Sequence, residues 1–247
     1  MKNSLRNIAI LAATSWQENL RNRFYLLALA FAGVFLFMSL ILGVLAVEQE
    51  SRVLLDFGLG CIELMGLAGA VYGATTMVLR EMETKTIYLI LTRPVGRGEY
   101  LIGRFLGLML SVLAAMALMA CVHLCILWAK GWRGPEPYLG AWLGAYLKVV
   151  VTAALATFLA VFSSSVLTAG VLTGILWALG HFLSELRFLI THGASRWNVA
   201  ALGLCSYVVP DLQLFNLRDR VSATSLSSPE AGAAWWLLYA ALYCGVW

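Results

Sequence analysis

The chain has 247 residues, of which 61% are hydrophobic and only 12% are charged. Soluble domains carry about 25% charged residues, and a soluble domain of this length has no room to bury so much apolar surface. Intrinsic disorder is excluded as well, because it requires low hydrophobicity and high net charge. With a mean hydropathy of +0.83, the composition predicts an all-α polytopic membrane protein.

The net charge of +4 would suggest nucleic acid in a soluble protein. In a membrane protein it indicates Lys and Arg residues that anchor loops to an anionic membrane face, so no nucleic-acid partner is expected. The chain contains 13 Asp and Glu residues and three His residues in total. This scarcity argues against enzymes that need a constellation of buried carboxylates and histidines.

The first predicted element is an amphipathic helix at residues 3–23 that lies in the membrane interface. Apolar residues recur there at three- and four-residue spacing, and Lys and Arg residues flank the stripe. A signal peptide is the alternative, with residues 24–47 as its hydrophobic region. That region has 24 residues without a charge, which is too long, and no small-residue cleavage site follows it.

Six transmembrane helices are predicted next, because a bilayer core needs about 20 apolar residues per helix. Residues 138–190 stay largely apolar for 53 residues. As one helix they would measure about 80 Å, so they must fold back, and Ser163-Ser164-Ser165 is the best site for the turn. The predicted spans are residues 24–47, 54–79, 101–129, 139–162, 166–189 and 231–247.

The distribution of Lys and Arg predicts the orientation of these spans. The N-terminal segment and the loop between spans two and three hold nine basic residues, against six on the other side, which favours a cytoplasmic N-terminus. The expected location is the inner membrane of a bacterium or archaeon, with residues 190–230 forming an external loop. Within that loop, residues 197–209 suit a re-entrant segment better than a seventh span. The last span has only 17 residues and ends at Trp247 without a basic anchor, so the natural protein is expected to be longer.

The loop at residues 80–100, between spans two and three, is unlike the rest of the chain. Residues 80–104 hold eight of the chain's 30 charged residues. Glu81 and Glu83 lie where the first turn of a short helix is expected, and Arg93 lies near its end, as the helix dipole favours.

This short helix is predicted to be amphipathic. Ile87, Ile90 and Leu91 form a small apolar face, and Pro94 ends the helix because the residue before a proline is pushed out of the α region. Such a helix on the cytoplasmic face could dock into a groove on a soluble partner. An interfacial helix that only lies on lipid is the alternative.

The loop resembles the one between spans two and three of type-2 ABC transporter permeases. More narrowly, it is similar to the branch that contains the permease of nitrous-oxide-reductase maturation and the gliding-motility permease. The layout of nearly the whole chain is similar too, but the specific motif covers only about 25 residues. The residues that carry the resemblance are Arg80, Glu81, Glu83, Thr86, Ile87, Leu91, Pro94, Arg97, Tyr100, Gly103 and Arg104.

In that family the loop forms a coupling helix that fits a cleft in a separate ABC ATPase subunit. The resemblance therefore implies two ATPase copies and a second permease subunit, expected to be a second copy of this chain; membrane lipid and a periplasmic protein are further expected partners. It also implies that the acidic residues of the loop face basic groups of the ATPase. The residues implied in docking are Glu81, Glu83, Thr86, Ile87, Ile90, Leu91, Pro94 and Arg97.

The chain lacks the phosphate-binding loop that an ATPase requires. No G-x-x-x-x-G-K-[ST] segment occurs, and Gly96-Arg97-Gly98 has neither the spacing nor the lysine. The chain is therefore predicted not to be an enzyme, to have no catalytic residues and to need no cofactor. ATP hydrolysis is expected in the partner subunit.

Glu63 lies well inside the second predicted span, where a carboxylate is costly and is a functional candidate by default. It is predicted to face a substrate pathway or a dimer seam, and a protonated carboxyl satisfied by a neighbouring helix is the alternative. Glycines at positions 58, 60, 66, 69 and 73 predict close approach of another helix. Lys148, early in the fourth span, is predicted to extend to the outer headgroups.

Cys121-x-His123-x-Cys125 in the third predicted span invites a metal-binding interpretation. The two cysteines are four residues apart and share a helix face, whereas His123 points roughly to the opposite side. Three ligands cannot converge from one straight helix at that spacing, so no metal site is predicted.

The first functional hypothesis is the permease subunit of an ABC exporter, which couples ATP hydrolysis in a partner to translocation or mechanical work. The second is an intramembrane enzyme acting on lipid, which would have to gather Glu63, His123 and His181 from three different spans. The third is a non-catalytic assembly scaffold. Residues 209–217, an amphipathic stretch that resembles the piece before the last span of the family, are expected to cap the pathway or to form an interfacial helix.

Overall fold

The computed structural model describes residues 2–22, 30–34, 36–38, 40–41, 50–84, 96–131, 135–182, 210–216 and 230–246. Within these ranges the chain is helical apart from short turns, and no strand occurs among them. The described parts of 30–41 are helical, and the other helices are α1 (Lys2–Leu20), α2 (Glu50–Glu83), α3 (Arg97–Ala129), α4 (Pro135–Phe162), α5 (Val166–His181), a 3-10 helix (Leu212–Phe215) and α6 (Glu230–Val246).

Three of these helices are long and apolar enough to cross a membrane. The qualifying segments are Arg52–Glu83, Gly98–Ala129 and Tyr138–Phe162, and the apolar Val166–His181 is shorter. They coincide with predicted spans two, three and four and with the first part of span five. The remainder of span five and the re-entrant stretch 197–209 lie outside the described residues.

The core of the protein lies where α2 packs between α3 and α4. Apolar side chains of all three helices fill it, among them Leu54 and Ala70 of α2, Met116 of α3, and Val149 and Ala153 of α4. Each of these five residues is fully buried or nearly so. Large apolar side chains elsewhere, such as Leu167 on α5 at 77% exposed, point away from the chain, as expected of a surface that meets lipid or another subunit.

Glycines on α2 explain how closely α3 approaches. A Cβ atom on Gly66 would lie 2.6 Å from the sulfur of Met116, and a Cβ on Gly58 would overlap the ring of His123. Both glycines are buried. These two positions confirm the prediction that small residues of the second span allow close helix packing.

The serine run separates α4 from α5, as predicted. α4 ends at Phe162 and α5 begins at Val166. The Ser165 side chain accepts a hydrogen bond from the backbone N–H of Thr168 at 3.1 Å, which is the N-cap arrangement, and the Ser163 hydroxyl donates to the Leu159 carbonyl at 2.8 Å. Serine hydroxyls therefore satisfy backbone groups at the turn between the two helices.

The N-terminal helix α1 lies against the first half of α3. The contact is tight because α3 has glycines there: a Cβ on Gly103 would lie 2.7 Å from that of Leu11, and one on Gly107 would lie 2.5 Å from that of Ser15. Ala12 and Ser15 are buried, whereas Leu5 is 69% exposed. One part of the predicted apolar stripe thus packs on protein, and another part remains available to the membrane interface.

The end of α2 differs from the sequence-based expectation. Glu81 and Glu83 were predicted to open a separate short helix, but they form the last turn of α2, which continues to Glu83. No glycine or proline occurs between Gly73 and Glu83, and Arg80, Glu81 and Met82 are good helix formers, so nothing ends the helix at position 79. The acidic pair therefore belongs to the spanning helix itself.

Candidate functional site

Ionised side chains join α1, α2 and α3 where the loop between α2 and α3 begins and ends. Glu81, in the last turn of α2, accepts a hydrogen bond from Arg104 Nε at 2.8 Å and lies 2.8 Å from Nη2 of the same guanidinium. Arg104 Nη1 pairs with Glu18 of α1. A single guanidinium on α3 therefore holds carboxylates from two other helices, and arginine is suited to this because its planar group carries five donors.

Two further hydrogen bonds complete this site. The Tyr100 hydroxyl donates to the same Glu81 oxygen at 2.6 Å, and the Ser15 hydroxyl donates to the Arg104 carbonyl at 3.2 Å. The side chains of Glu81 and Arg104 are only 13% and 16% exposed, whereas that of Glu18 is 63% exposed. We refer to Glu18, Glu81, Tyr100 and Arg104 as the Arg104 cluster.

Three of the eight docking residues predicted from the sequence lie among the described residues. Glu81 was expected to meet basic groups of a partner, but it is bound to Arg104 of its own chain. Glu83 is exposed at the end of α2, and Arg97 is the first residue of α3. The others lie outside the described residues: Thr86, Ile87, Ile90, Leu91 and Pro94.

A second ion pair lies deep between α2 and α4. Lys148 Nζ donates to Glu63 Oε1 at 3.0 Å, and the side chains of Lys148 and Glu63 are 2% and 13% exposed. The prediction that Lys148 extends to the outer headgroups is wrong. The Lys148 ammonium stays inside the protein with a carboxylate of the neighbouring helix as its partner, and a charge buried without such a partner would be costly.

The 3-10 helix after Pro210 covers this ion pair. Phe215 and Asn216 line a cavity of about 10 Å³ together with Glu63, Lys148 and small residues of α4. Gln213 Nε2 donates to the His181 carbonyl of α5 at 2.7 Å, and the Tyr239 hydroxyl of α6 accepts from the Asp211 backbone N–H at 3.0 Å. The segment thus caps the pair and binds to two other helices.

The buried His123 ring contacts polar groups of both α2 and α4. Its Nε2 lies 3.3 Å from the Leu54 carbonyl oxygen, and its Nδ1 lies 3.1 Å from the Tyr138 hydroxyl oxygen. His123 is fully buried, while Cys121 and Cys125 are exposed. The two cysteines and the histidine therefore lie on different faces of α3, as their spacing predicts, and the part of the chain that is described holds no group of three potential metal ligands.

The three residues required by the lipid-enzyme hypothesis have separate surroundings. Glu63 pairs with Lys148, His123 bonds with Tyr138 and Leu54, and the His181 ring stacks on Trp177 with centroids 5.6 Å apart. These contacts do not favour a shared catalytic centre.

Neither the partner of Glu63 nor that of Glu18 was predicted from the sequence. Glu63 and Lys148 each lie nine positions after the predicted start of their span, at 54 and 139. Both spans were predicted to begin at the external face, so equal depth was a usable signal for pairing at about 14 Å from that face. No comparable signal pointed from Arg104 to Glu18, because the contact depends on how α1 lies across α3.

Helices of this length and apolar character, packed around a core with an interior ion pair, define a multi-pass membrane protein. The sequence profile of the family described as ABC-2 family transporter protein matches residues 37–187, which is more than half of the chain. The chain therefore belongs to this family and is a membrane permease of an ABC transporter. Such permeases are typically non-catalytic subunits that work with an ABC ATPase. A search of curated proteins finds no match to the chain.

Proposed function

We propose that this chain is the permease subunit of an ABC exporter in a bacterial or archaeal inner membrane. A separate ATPase docks on the loop between α2 and α3, and its nucleotide-driven motion is transmitted to the membrane helices. The observation that carries the proposal is the Arg104 cluster, which lies at both ends of that loop.

The geometry of the cluster supports a mechanical role. Glu81 ends α2, and Tyr100 and Arg104 lie in the first two turns of α3. Because one Glu81 oxygen binds both of them, the two ends of the loop are held together. A displacement of the loop would therefore move α2 and α3 as a unit, and Glu18 would carry it on to α1.

The sequence of the loop supports docking of an ATPase. Ile87, Ile90 and Leu91 offer an apolar face of the kind that enters a hydrophobic groove. Glu83, a few residues earlier in the sequence, adds an exposed carboxylate. The lack of a phosphate-binding loop in the sequence agrees with an ATPase on another chain.

The assembly we propose has two copies of this permease and two of the ATPase. The exposed apolar side chains of α5, among them Leu167, Val171 and Ile175, would then face lipid or the second permease. Glu63 remains our candidate for the pathway or the dimer seam, and its pairing with Lys148 supports an additional role in holding α2 against α4.

A double substitution in the loop tests this function. Co-expression with the ATPase encoded beside the gene should yield a complex, and Ile87→Asp with Leu91→Asp should abolish it, because two carboxylates cannot enter an apolar groove unpaired. Co-purification and the rate of ATP hydrolysis are the measurements. The matched control is Ser227→Asp with Ser228→Asp, which adds the same charge to the predicted external loop.

We expect the control to co-purify with the ATPase as well as the unmodified chain does. If the Ile87→Asp, Leu91→Asp variant still binds and stimulates the ATPase, the docking assignment is wrong.

A further inference from the structure

A large cavity lies beside the Arg104 cluster, between α1, the second half of α2 and the start of α5. Its volume is about 890 Å³. Binding pockets for small molecules commonly measure about 300–1,000 Å³, so the space is sufficient for a ligand of the size of a lipid headgroup with the first part of its chains.

The walls of the cavity change character along α2. Tyr72 and Met77 line one end, and Arg80, Glu81 and Glu83 line the other. From 72 to 83 the helix rises about 16 Å, which matches the distance from hydrocarbon into the headgroup region. A cavity that is apolar at one end and charged at the other fits an amphiphile better than a soluble metabolite.

Among the described residues, the charged groups that line the cavity are balanced in number. Three are cations, Arg21, Arg80 and Arg104, and three are anions, Glu18, Glu81 and Glu83. The Arg104 guanidinium is already bound by Glu18 and Glu81.

The remaining cations are available to a ligand. Arg21 and Arg80 are exposed, and neither forms a salt bridge with another described residue. Guanidinium groups bind phosphate oxygens through paired, charge-assisted hydrogen bonds. Among the acidic lining residues, Glu83 is exposed and Glu18 is 63% exposed, so their carboxylates can accept hydrogen bonds from an ammonium group.

We propose that this cavity binds a phospholipid whose headgroup carries both a phosphate and a primary amine, taken from the leaflet on the α1 side of the membrane. The phosphate accepts hydrogen bonds from Arg21 and Arg80, and the ammonium donates to Glu18 and Glu83. The acyl chains leave along Tyr72 and Met77. This lipid site goes beyond the proposed transport function and does not require the ATPase.

The charge balance distinguishes this headgroup from others. An anionic headgroup without an amine would add a negative charge beside Glu83 and beside Glu18, which shares the single Arg104 guanidinium with Glu81. A quaternary choline headgroup carries the positive charge but has no N–H to donate to them. The amine-bearing zwitterion is the headgroup that satisfies both sides of the cavity.

Native mass spectrometry of the full chain, purified without the ATPase and stripped of lipid, tests the proposal. Dioleoyl phosphatidylethanolamine, phosphatidylglycerol and phosphatidylcholine are titrated separately. The variant is Arg21→Gln with Arg80→Gln, and the control is Arg6→Gln with Arg52→Gln, two exposed arginines that do not line the cavity. A competition arm uses soluble glycerophosphoethanolamine.

We expect one phosphatidylethanolamine per chain to bind about tenfold more tightly than either other lipid, and the cavity variant to lose about tenfold in affinity, since two charge-assisted bonds are removed. The control should bind normally and the soluble headgroup should compete poorly. Equal binding by the two arginine variants, a preference for phosphatidylglycerol, or equal competition by glycerophosphoethanolamine would each overturn the proposal. Circular dichroism of both variants checks that they keep the same helix content.

Discussion

Replacing Lys148 by methionine is expected to lower the free energy of unfolding by about 3–5 kcal/mol, the usual cost of leaving one member of a buried ion pair alone. Lys148 is 1% exposed and its ammonium binds Glu63 at 3.0 Å. Thermal unfolding in detergent should show the loss as a fall in Tm of roughly 10 °C, using the ordinary scaling for a chain of this size.

A double-mutant cycle separates the contribution of the ion pair to stability from the contributions of its two side chains. Glu63→Leu with Lys148→Met removes both charges and should recover most of the lost stability, because apolar side chains of similar volume replace a buried pair at little cost. Lys130→Met, at an exposed position at the end of α3, is the control and should change Tm very little. A Lys148→Met variant as stable as the unmodified chain would contradict the buried pair and favour a lysine that reaches the headgroups.

The second large effect is expected at Arg104. Arg104→Met should reduce the stimulation of the partner ATPase about tenfold. It removes the ion pairs of Arg104 with Glu81 and Glu18 in one step and leaves Glu81 with the Tyr100 hydrogen bond to α3, and a bond of this kind to a charged group contributes about 1.5–3 kcal/mol. The proposed docking residues Ile87, Ile90 and Leu91 are unchanged in this variant, so the ATPase should still co-purify. The measurement is the rate of ATP hydrolysis by the purified complex.

Two further substitutions test the two ion pairs of Arg104 separately. Glu18→Gln removes the 63% exposed partner, and exposed ion pairs contribute about 0–1 kcal/mol, so its effect on hydrolysis should be small. Glu81→Gln removes the shielded partner and should behave more like Arg104→Met. If the Arg104→Met complex hydrolyses ATP at the unmodified rate, the cluster does not transmit motion.

Much of the fold could be predicted from local patterns. Long apolar runs define α2, α3 and α4, and a serine run marks the turn before α5 because hydroxyls satisfy the backbone groups that two helix ends expose. The helix at residues 3–23 was predicted from periodicity alone, and α1 occupies Lys2–Leu20. Each of these features depends on residues that are close together in the sequence, so the sequence was sufficient to predict it.

The candidate site was less accessible from the sequence because its bonds join distant elements. Glu18 and Arg104 are separated by 86 positions and Glu63 and Lys148 by 85. Nothing local to Glu81 distinguishes a carboxylate facing a partner from one bound by an arginine two helical turns into the next span. The packing of α1 across Gly103 and Gly107 of α3 determines which carboxylates Arg104 can reach. The local sequence does not reveal this packing.

Helix ends were also hard to place from hydropathy. The predicted second span stopped at residue 79 because charges begin at Arg80. Charged residues are nevertheless good helix formers, so α2 continues to Glu83 and carries its acidic end beyond the apolar segment. This continuation is what places Glu81 within reach of Arg104.

Site-specific photo-crosslinking tests the central claim most directly, because it reports which segment contacts the ATPase without removing any charge. A benzoylphenylalanine at Ile90, in the loop between α2 and α3, should crosslink to the co-expressed ATPase in intact membranes. The same probe at Leu214, exposed on the 3-10 helix of the predicted external loop, should not. A crosslinked permease–ATPase band from position 90 alone is the predicted result; no band from position 90, or a band from position 214, would contradict the account.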